Sequence, residues 1–173
     1  MIVPEKGIDF RVYDSEGDDL VGVAEGTFPD LEAKTETVSG AGIAGDVDSL
    51  ILGHLQSMTL ALTWRNVTDG VVKLAQQKTH NLDLYAAQQD YDSAEGVYKV
   101  RSVHVFVKVN PKKIGLGKLA SASMTDTTSE FEVLYMKLLI DDKERLEVDK
   151  YNYIFKVDGV DYLEEVRRAL GKE

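Results

Sequence analysis

The stretch that decides the fold is residues 130–171, EFEVLYMKLLI DDKE RLEVDKYNYIFKV DGVDYLEEVRRALG, in the last third of the chain. Apolar residues recur with a period of two on both faces of its first segment, which predicts a strand covered on both sides. Asp141–Glu144 is a polar cluster between two apolar runs and predicts a hairpin turn. Leu146 and Val148 then share one face of the return strand.

The segment after this hairpin carries the signals of a helix over residues 161–170. Asp161 is a favourable N-cap, and Glu164 follows three residues later, where the acid of a capping box belongs. Gly171 is the expected C-terminal stop. The apolar face of this helix is predicted to consist of Leu163, Val166 and Leu170.

Length and composition exclude several classes of protein. A chain of 173 residues is expected to form one domain with a substantial core. The absence of cysteine excludes disulfides and thiolate metal sites. No window approaches the ~18 apolar residues of a membrane span, and Met1–Lys6 lacks the pattern of a signal peptide. A net charge of −10 argues against a protein that grips nucleic acid by its phosphates.

The rest of the sequence predicts a mainly β domain, with a sandwich or barrel-like antiparallel core and two short helices. Gly7–Asp14 and Leu20–Ala24 are expected to pair as an N-terminal hairpin. A short helix is expected to begin at Thr68 or Asp69. Residues 110–129 predict a long irregular connection. Further strands are predicted over residues 58–64, 82–89 and 96–109.

Residues 31–57 predict a long projecting hairpin, here named the arm. Its strands carry few apolar side chains, so we expect it to gain order mainly from contacts with other subunits. A glycine-rich run matches the dinucleotide fingerprint G-x-G-x-x-G, but that chemistry needs a buried strand before it and a helix after it. The preceding strand is polar and no βαβ pattern follows, so the run is interpreted as the tip of the arm. The tip residues are Gly40, Ala41, Gly42, Ile43, Ala44 and Gly45.

The sequence offers no converging set of catalytic or metal-ligating side chains. Gly115–Lys118 lacks both the first glycine and the final Ser/Thr of a phosphate-binding loop. His54, His80 and His104 have neither the spacing nor the partners of a site. We therefore expect no enzyme activity, no cofactor and no metal. A basic patch suited to solvent or to an acidic neighbour consists of Lys112, Lys113 and Lys118.

Polymerisation explains the two unusual features, a polar projecting arm and a strand that is apolar on both faces. A two-sided strand left open invites other subunits, and a head-to-tail contact closes into a ring when the rotation allows. The side chains of this strand that are expected to meet neighbouring subunits are Phe131, Val133, Tyr135 and Leu138.

The same C-terminal block resembles the major tail tube proteins of contractile-tailed bacteriophages. The resemblance rests on the hairpin at Ile140–Glu144, the turn at Val157–Asp161 and a terminal helix with paired arginines. Asp142 stands where the family often has Gly, which affects the turn type more than the hairpin because Asp tolerates left-handed conformations. The similarity extends over the Phe28-Pro29 segment, the arm and the central strands, and is weakest over residues 81–96.

The resemblance implies a structural protein without cofactors, whose single domain forms hexameric rings stacked into a tube inside a contractile sheath. DNA would pass through this tube as cargo without specific binding. The implied partners are the protein itself, the sheath, the baseplate and the tail terminator, with no membrane binding. The implied location is the virion, after assembly in the host cytoplasm. Candidate acids for the lumen wall are Glu130, Glu132, Glu147 and Asp149.

Two alternatives remain open from the sequence. One is the tube protein of a related device, such as a tailocin or a type VI-like secretion system, which shares the architecture and differs in cargo. The other is a β-barrel that binds a ligand or acts as an enzyme, which the lack of convergent polar residues disfavours.

Overall fold

The computed structural model describes residues 1–172, which fold into eleven strands and two short helices. No helix in this part of the chain is long and apolar enough to cross a membrane. The strands are β1 Ile2–Tyr13, β2 Val23–Thr27, β3 Ala33–Val38, β4 Val47–Leu55, β5 Thr59–Trp64, β6 His80–Asp92, β7 Val97–Gly115, β8 Thr127–Ile140, β9 Lys143–Asp149, β10 Ile154–Val157 and β11 Val160–Asp161. The helices are α1 Asp69–Leu74 and α2 Glu164–Ala169.

Nine strands form one antiparallel sheet, and the arm forms a second sheet of two strands. The large sheet has the order β1-β6-β7-β8-β9-β10-β11, and β5 also pairs with β8 and carries β2 on its other side. Within residues 1–172, β3 and β4 pair with each other and with no other strand. The predicted mainly β architecture with two helices and a long hairpin is therefore confirmed.

Strand β8 holds the two halves of the large sheet together. Its first half pairs with β5, from Trp64 opposite Thr127 to Thr59 opposite Glu132, and its second half pairs with β9. Between the halves lies a β-bulge, because Lys108 of β7 faces Tyr135 while the next residue faces Val133. A bulge bends its strand and increases the local twist, so one edge of β8 serves two different partners.

The core lies between the two halves of this bent sheet. Trp64 and Phe131 are its largest fully buried side chains, and the Trp64 indole Nε1 donates a hydrogen bond to Ser129 Oγ at 3.0 Å. Helix α1 covers one end with Val71 and Leu74, as its apolar spacing predicts. Each fully buried side chain of this size contributes roughly 1.5–3 kcal/mol of hydrophobic stabilisation. Other buried members from six strands are Val12, Leu60, Leu62, Leu82, Val105, Val107, Val109, Val133 and Val148.

The turn between β8 and β9 has the form that hairpin geometry favours. Ile140 pairs with Lys143 across a two-residue loop, and both loop residues, Asp141 and Asp142, have left-handed φ values of 49° and 63°. Positive φ at both positions is the mark of a type I′ turn, which matches the twist of the strands it joins. The predicted hairpin is present, and Asp142 occupies the position of the family's glycine without losing the turn.

The predicted N-terminal hairpin is wrong. Residues Ile2–Tyr13 pair with β6, and Val23–Thr27 pair with β5 in the other half of the sheet. Only an isolated bridge between Tyr13 and Asp19 remains of the expected pairing. The long register with β6 satisfies more backbone groups than a local hairpin of five residues, so the distant partner wins.

Two predicted boundaries also need correction. The connection after β7 spans residues 116–126 rather than 110–129, because a bulge between Pro111 and Lys113 lets the strand continue past the proline. Helix α2 begins at Glu164, not at Asp161. Asp161 instead accepts a hydrogen bond from the Leu163 N–H at 3.0 Å and pairs with Arg167 at 2.7 Å.

The arm is attached to the body through a glycine contact at its base. Gly53 of β4 has a φ of +69°, and a Cβ built on it would lie 2.4 Å from Cγ of Leu163, a buried residue just before α2. Only glycine allows this backbone and this approach together. The arm therefore leaves the body at an angle that the C-terminal block helps to set.

We predict that Gly53→Ala lowers the free energy of unfolding through two additive effects. The left-handed backbone costs roughly 1–2 kcal/mol for a residue with a Cβ, and overpacking against Leu163 costs about 1–3 kcal/mol more. Gly42→Ala is the matched control, because its φ is +89° and its Cβ would meet open space. Urea denaturation of both variants measures the difference, and equal losses would contradict the contact.

Candidate assembly site

The arm exposes both of its strands and its tip. Every residue of β3 is exposed, as are the first six of β4. At the tip, Gly40, Gly42 and Gly45 have φ values of +126°, +89° and +127°, and the Ile43 N–H donates to the Gly40 carbonyl at 3.1 Å. The run joins two antiparallel strands, which is not the strand–helix context that a dinucleotide site requires.

A cluster of charged and polar groups centred on Glu132 holds the base of the arm. Its carboxylate accepts a hydrogen bond from Ser57 Oγ at 2.6 Å and from Lys112 Nζ at 3.4 Å. Lys150 Nζ lies 4.0 Å from the same carboxylate and donates to the Gln56 carbonyl at 2.8 Å. The cluster thus ties the segment between β4 and β5 to β7, to β8 and to the turn after β9.

The electrostatics of this cluster favour the ionised form of Glu132. Partial burial by itself raises the pKa of the carboxyl, but the hydrogen bonds from Ser57 and Lys112 and the charges of Lys112 and Lys150 outweigh it, so the pKa is lowered. A carboxylate with two lysines and a hydroxyl as partners has most of its hydrogen-bonding capacity filled. Glu132 is therefore a structural anchor, and its charge is offset locally.

An apolar groove of roughly 360 Å³ lies between the arm and the C-terminal block. We name it the arm groove. One wall comes from the arm and includes the exposed Leu31, Leu50 and Leu52. The other wall comes from β10 and the segment before α2, with Phe155 and Tyr162. Exposed apolar surface gathered in a concave patch is typical of a contact site for another chain.

The structure separates the four side chains proposed to form an inter-subunit strand. Phe131 and Val133 have 0% exposure and belong to the subunit's own core, so their assignment to subunit contacts is wrong. The bulge at Leu134 moves Tyr135 to the opposite face, and Leu138 packs against the edge of the core. The alternation of apolar residues in the sequence does not indicate this bulge, because the extra residue does not alter the composition of the strand.

Tyr135 belongs to the face of β7, β8 and β9 that points away from the core, here named the outer sheet face. Its ring packs edge-on against Phe106 at 5.9 Å, and Lys108 Nζ lies 5.5 Å from its centroid. Burial, followed by the charges of Glu147 and Glu144, raises the pKa of Tyr135 to about 12. The phenol therefore stays neutral across the physiological range.

The remaining acids proposed for the lumen have mixed surroundings. Glu147 lies opposite Lys137 and Lys156 on the outer sheet face, and burial together with the neighbouring Glu144 raises its pKa. Asp149 accepts two hydrogen bonds from Asn152, at 3.1 Å from the backbone and 2.7 Å from the side chain. Glu130 is half-buried and pairs with Lys113 in the strand register.

A cluster of acids around Lys73 has a structural role. Asp14, Glu16 and Asp18 converge within reach of one cation, and the Lys73 ammonium lies there, 2.8 Å from Asp14 and 2.7 Å from Glu16. Burial raises the pKa of Asp14, but the hydrogen bond from Lys73 and those from the Asp18 and Glu16 N–H groups together outweigh it, so the pKa is lowered. In the sequence, the only indication of this cluster is that acids occur at every second position of the turn, at residues 14, 16 and 18.

The histidines lie apart, as their spacing suggested. His54 contacts the Leu52 carbonyl at 3.0 Å, and His80 Nε2 donates to the Gln76 carbonyl at 2.9 Å. His104 Nε2 is 2.7 Å from Asp83 Oδ1, and its ring stacks on Tyr85 at 4.1 Å. Each ring has a local partner that accounts for its position.

Comparison with known proteins gives this architecture a family. Residues 4–171 match the family described as phage tail tube protein FII. The chain belongs to this family of phage tail tube proteins. It is also similar to the tail tube protein of Escherichia phage P2, with 32% identity over 167 residues, which covers 87% of this chain and 88% of that one. The family match extends through the arm, β8 and the C-terminal block.

Among solved structures, the tail tube chain is similar to one from the anti-feeding prophage baseplate, a cryo-EM structure described as 6-fold symmetrised. The TM-score is 0.38 and the identity 11%, over 75% of this chain and 90% of that one. The family match makes this protein a structural component of a phage tail, located in the virion.

We predict that Glu132→Gln lowers the free energy of unfolding by roughly 1–3 kcal/mol at neutral pH, because charge-assisted hydrogen bonds at the arm base are lost. The pKa of Glu132 is lowered from its ordinary value of 4.5, so its contribution is present above that value and is lost as the pH falls through the folded-state pKa. The difference in free energy of unfolding between wild type and variant should therefore disappear at acidic pH.

Urea denaturation at about pH 7 and about pH 3 measures both gaps, with the isosteric Glu130→Gln on the same strand as control. A gap for Glu132→Gln that stays constant with pH, or that equals the control, would contradict the anchor role.

Proposed function

We propose that this tail tube chain polymerises as hexameric rings stacked into the hollow inner tube of a contractile phage tail, through which DNA is delivered. The observation that carries the proposal is the arm, an exposed hairpin that is firmly held at its base by Gly53 and the Glu132 cluster. A free subunit gains little from holding exposed strands in one direction. A subunit that contacts another copy through its arm needs an arm that is long enough and is held in a fixed direction.

The edges of the large sheet supply a second means of association. β1 lies at one end of the strand order and β11 at the other, and the first nine residues of the chain are exposed. An open edge presents unpaired backbone groups to another chain. Pairing of such edges around a ring closes the sheet and removes the edges, since a rotation that closes yields a finite assembly.

The environment of the tube follows from this role. The proposed partners besides further copies of the chain are the sheath protein, the baseplate and the tail terminator, and assembly takes place in the host bacterial cytoplasm. Tubes of tailocins or type VI-like devices use the same kind of ring, so delivery of a cargo other than DNA is the second candidate. The proposed role is structural and needs no enzymatic step.

The proposed lumen wall is mildly acidic, with Glu130, Glu147 and Asp149 as candidates. The chain has 30 acidic residues against 20 basic ones. A basic wall would hold each phosphate of passing DNA, whereas an acidic wall repels the duplex from all sides. Repulsion acts within about 10 Å of the wall at ~0.1 M salt.

We predict that the purified protein self-assembles without nucleotide or metal, because folding leaves the arm, the arm groove and the β1 edge exposed. Size-exclusion chromatography with light scattering over a concentration series should show rings or tubes that grow with concentration. A strict monomer at the highest soluble concentration, alone and with tail partners, would contradict the proposed function.

We predict that Glu130→Lys combined with Glu147→Lys leaves tubes intact and slows DNA ejection, most strongly at low salt, because the new charges bind phosphates. Ejection rates from assembled particles measure the effect. Glu165→Lys, on the exposed side of α2, is the control and should leave ejection unchanged. Wild-type tubes that retain DNA at physiological salt would show that the acidic wall is wrong.

A further inference from the structure

Residues 116–126, which we name the Leu119 loop, expose apolar side chains where solvent would favour polar ones. Leu119 is 95% exposed, and Leu116 and Met124 are exposed beside it. Hydrogen bonds hold the loop in shape, since the Lys118 N–H donates to the Thr125 carbonyl at 2.9 Å. An ordered loop that exposes a leucine to solvent is typical of a contact site for another chain.

The close packing of Gly117 shows that this shape is built into the loop. Its φ is +82°, and a Cβ at this position would lie 1.9 Å from the Thr125 carbonyl oxygen. The Thr125 N–H in turn donates to the Arg65 carbonyl at 2.9 Å, which attaches the loop to the end of β5. The loop is therefore fixed to the body at the end of β5, while Leu119 stays exposed to solvent.

The Leu119 loop and the arm lie at opposite ends of β5. Thr59, at the start of this strand, pairs with Glu132, whose cluster holds the arm base. Trp64, at its end, pairs with Thr127, which directly follows the loop. Six residues of strand separate the two ends by roughly 17–20 Å. Surfaces at opposite ends of a subunit are those that a head-to-tail stack brings together.

The two surfaces also match in chemistry. The arm groove offers exposed Leu31, Leu50 and Leu52 to an apolar side chain. Residues 31–48 of the arm carry four acids and one lysine, so this part of the arm is negative. The segments that carry the Leu119 loop expose the cations Arg65 and Lys113, while Lys118 pairs with Asp126 of the same loop at 3.5 Å. Opposite charges around an apolar contact fix its register and suppress wrong pairings.

We propose that the Leu119 loop of one subunit docks into the arm groove of the next copy along the tube. The inference rests on the proposed function and deepens it, because it names the two surfaces that join successive rings. Leu119 enters between the arm and the C-terminal block, and the basic groups around the loop face the acidic arm.

Paired cysteines test this contact directly, because the chain contains no cysteine of its own. A variant with Leu119→Cys and Leu50→Cys should, after oxidation of assembled tubes, give a ladder of covalent multimers on non-reducing gels. The control pairs Leu119→Cys with Val72→Cys, which is equally accessible on α1. Intact tubes without a ladder, or a ladder of equal strength in the control, would overturn the proposal.

Hydrogen exchange on wild-type protein decides the question if the cysteine variants do not assemble. Residues 116–126 and 50–52 should both gain protection on going from subunit to tube. Tubes in which the Leu119 loop exchanges as fast as in the subunit contradict the docking proposal alone. A wild-type protein that never forms tubes contradicts the proposed function, and the docking proposal fails with it.

Discussion

The bulged strand β8 is the constraint on which the rest of this subunit depends. Its outer edge pairs with β7 along its whole length, while its other edge serves β5 before the bulge and β9 after it. The change of phase at Leu134 keeps Phe131, Val133 and Met136 all in the core. Without the extra residue the second half of the strand would turn its apolar side chains outward, since a shift by one residue exchanges the faces.

The same strand also positions the base of the arm and the outer sheet face. Glu132, on the polar side of β8 just before the bulge, binds the arm base through Ser57 and Lys150. Tyr135, just after it, anchors the aromatic and charged residues of the outer sheet face. Core packing and arm direction are therefore coupled through a few residues of one strand. The proposed tube needs this coupling, because a small error in arm direction would accumulate along a stack of rings.

Local signals in the sequence were sufficient for the elements that depend on neighbours in the chain. The β8–β9 hairpin, the arm with its glycine tip, helix α1 and the stop at Gly171 all follow from spacing and turn residues, and all are present. The error of largest consequence concerns two strands that lie far apart in sequence. β1 pairs with β6 rather than with β2, and no local pattern encodes a register that spans some eighty residues.

The site was harder to predict than the fold for the same reason. The groups around Glu132 come from residues 57, 112 and 150, and nothing in their spacing indicates that they meet. No glycine or proline near Leu134 indicates a bulge in β8. The sequence therefore predicts subunit contacts for Phe131 and Val133, which belong to the core. The prediction of an acidic lumen wall rests on composition, and composition does not show which lysines lie opposite the acids.

We propose that a firmly held arm joins identical subunits into a tube. A cryo-EM reconstruction of tubes grown from the full-length chain tests it most directly. We expect rings of six in which Ser57 and Lys150 still contact Glu132, with each arm ordered against a neighbouring copy. Tubes in which the arm has detached from Glu132 or folded back on its own body, leaving no contact with another subunit, would contradict it.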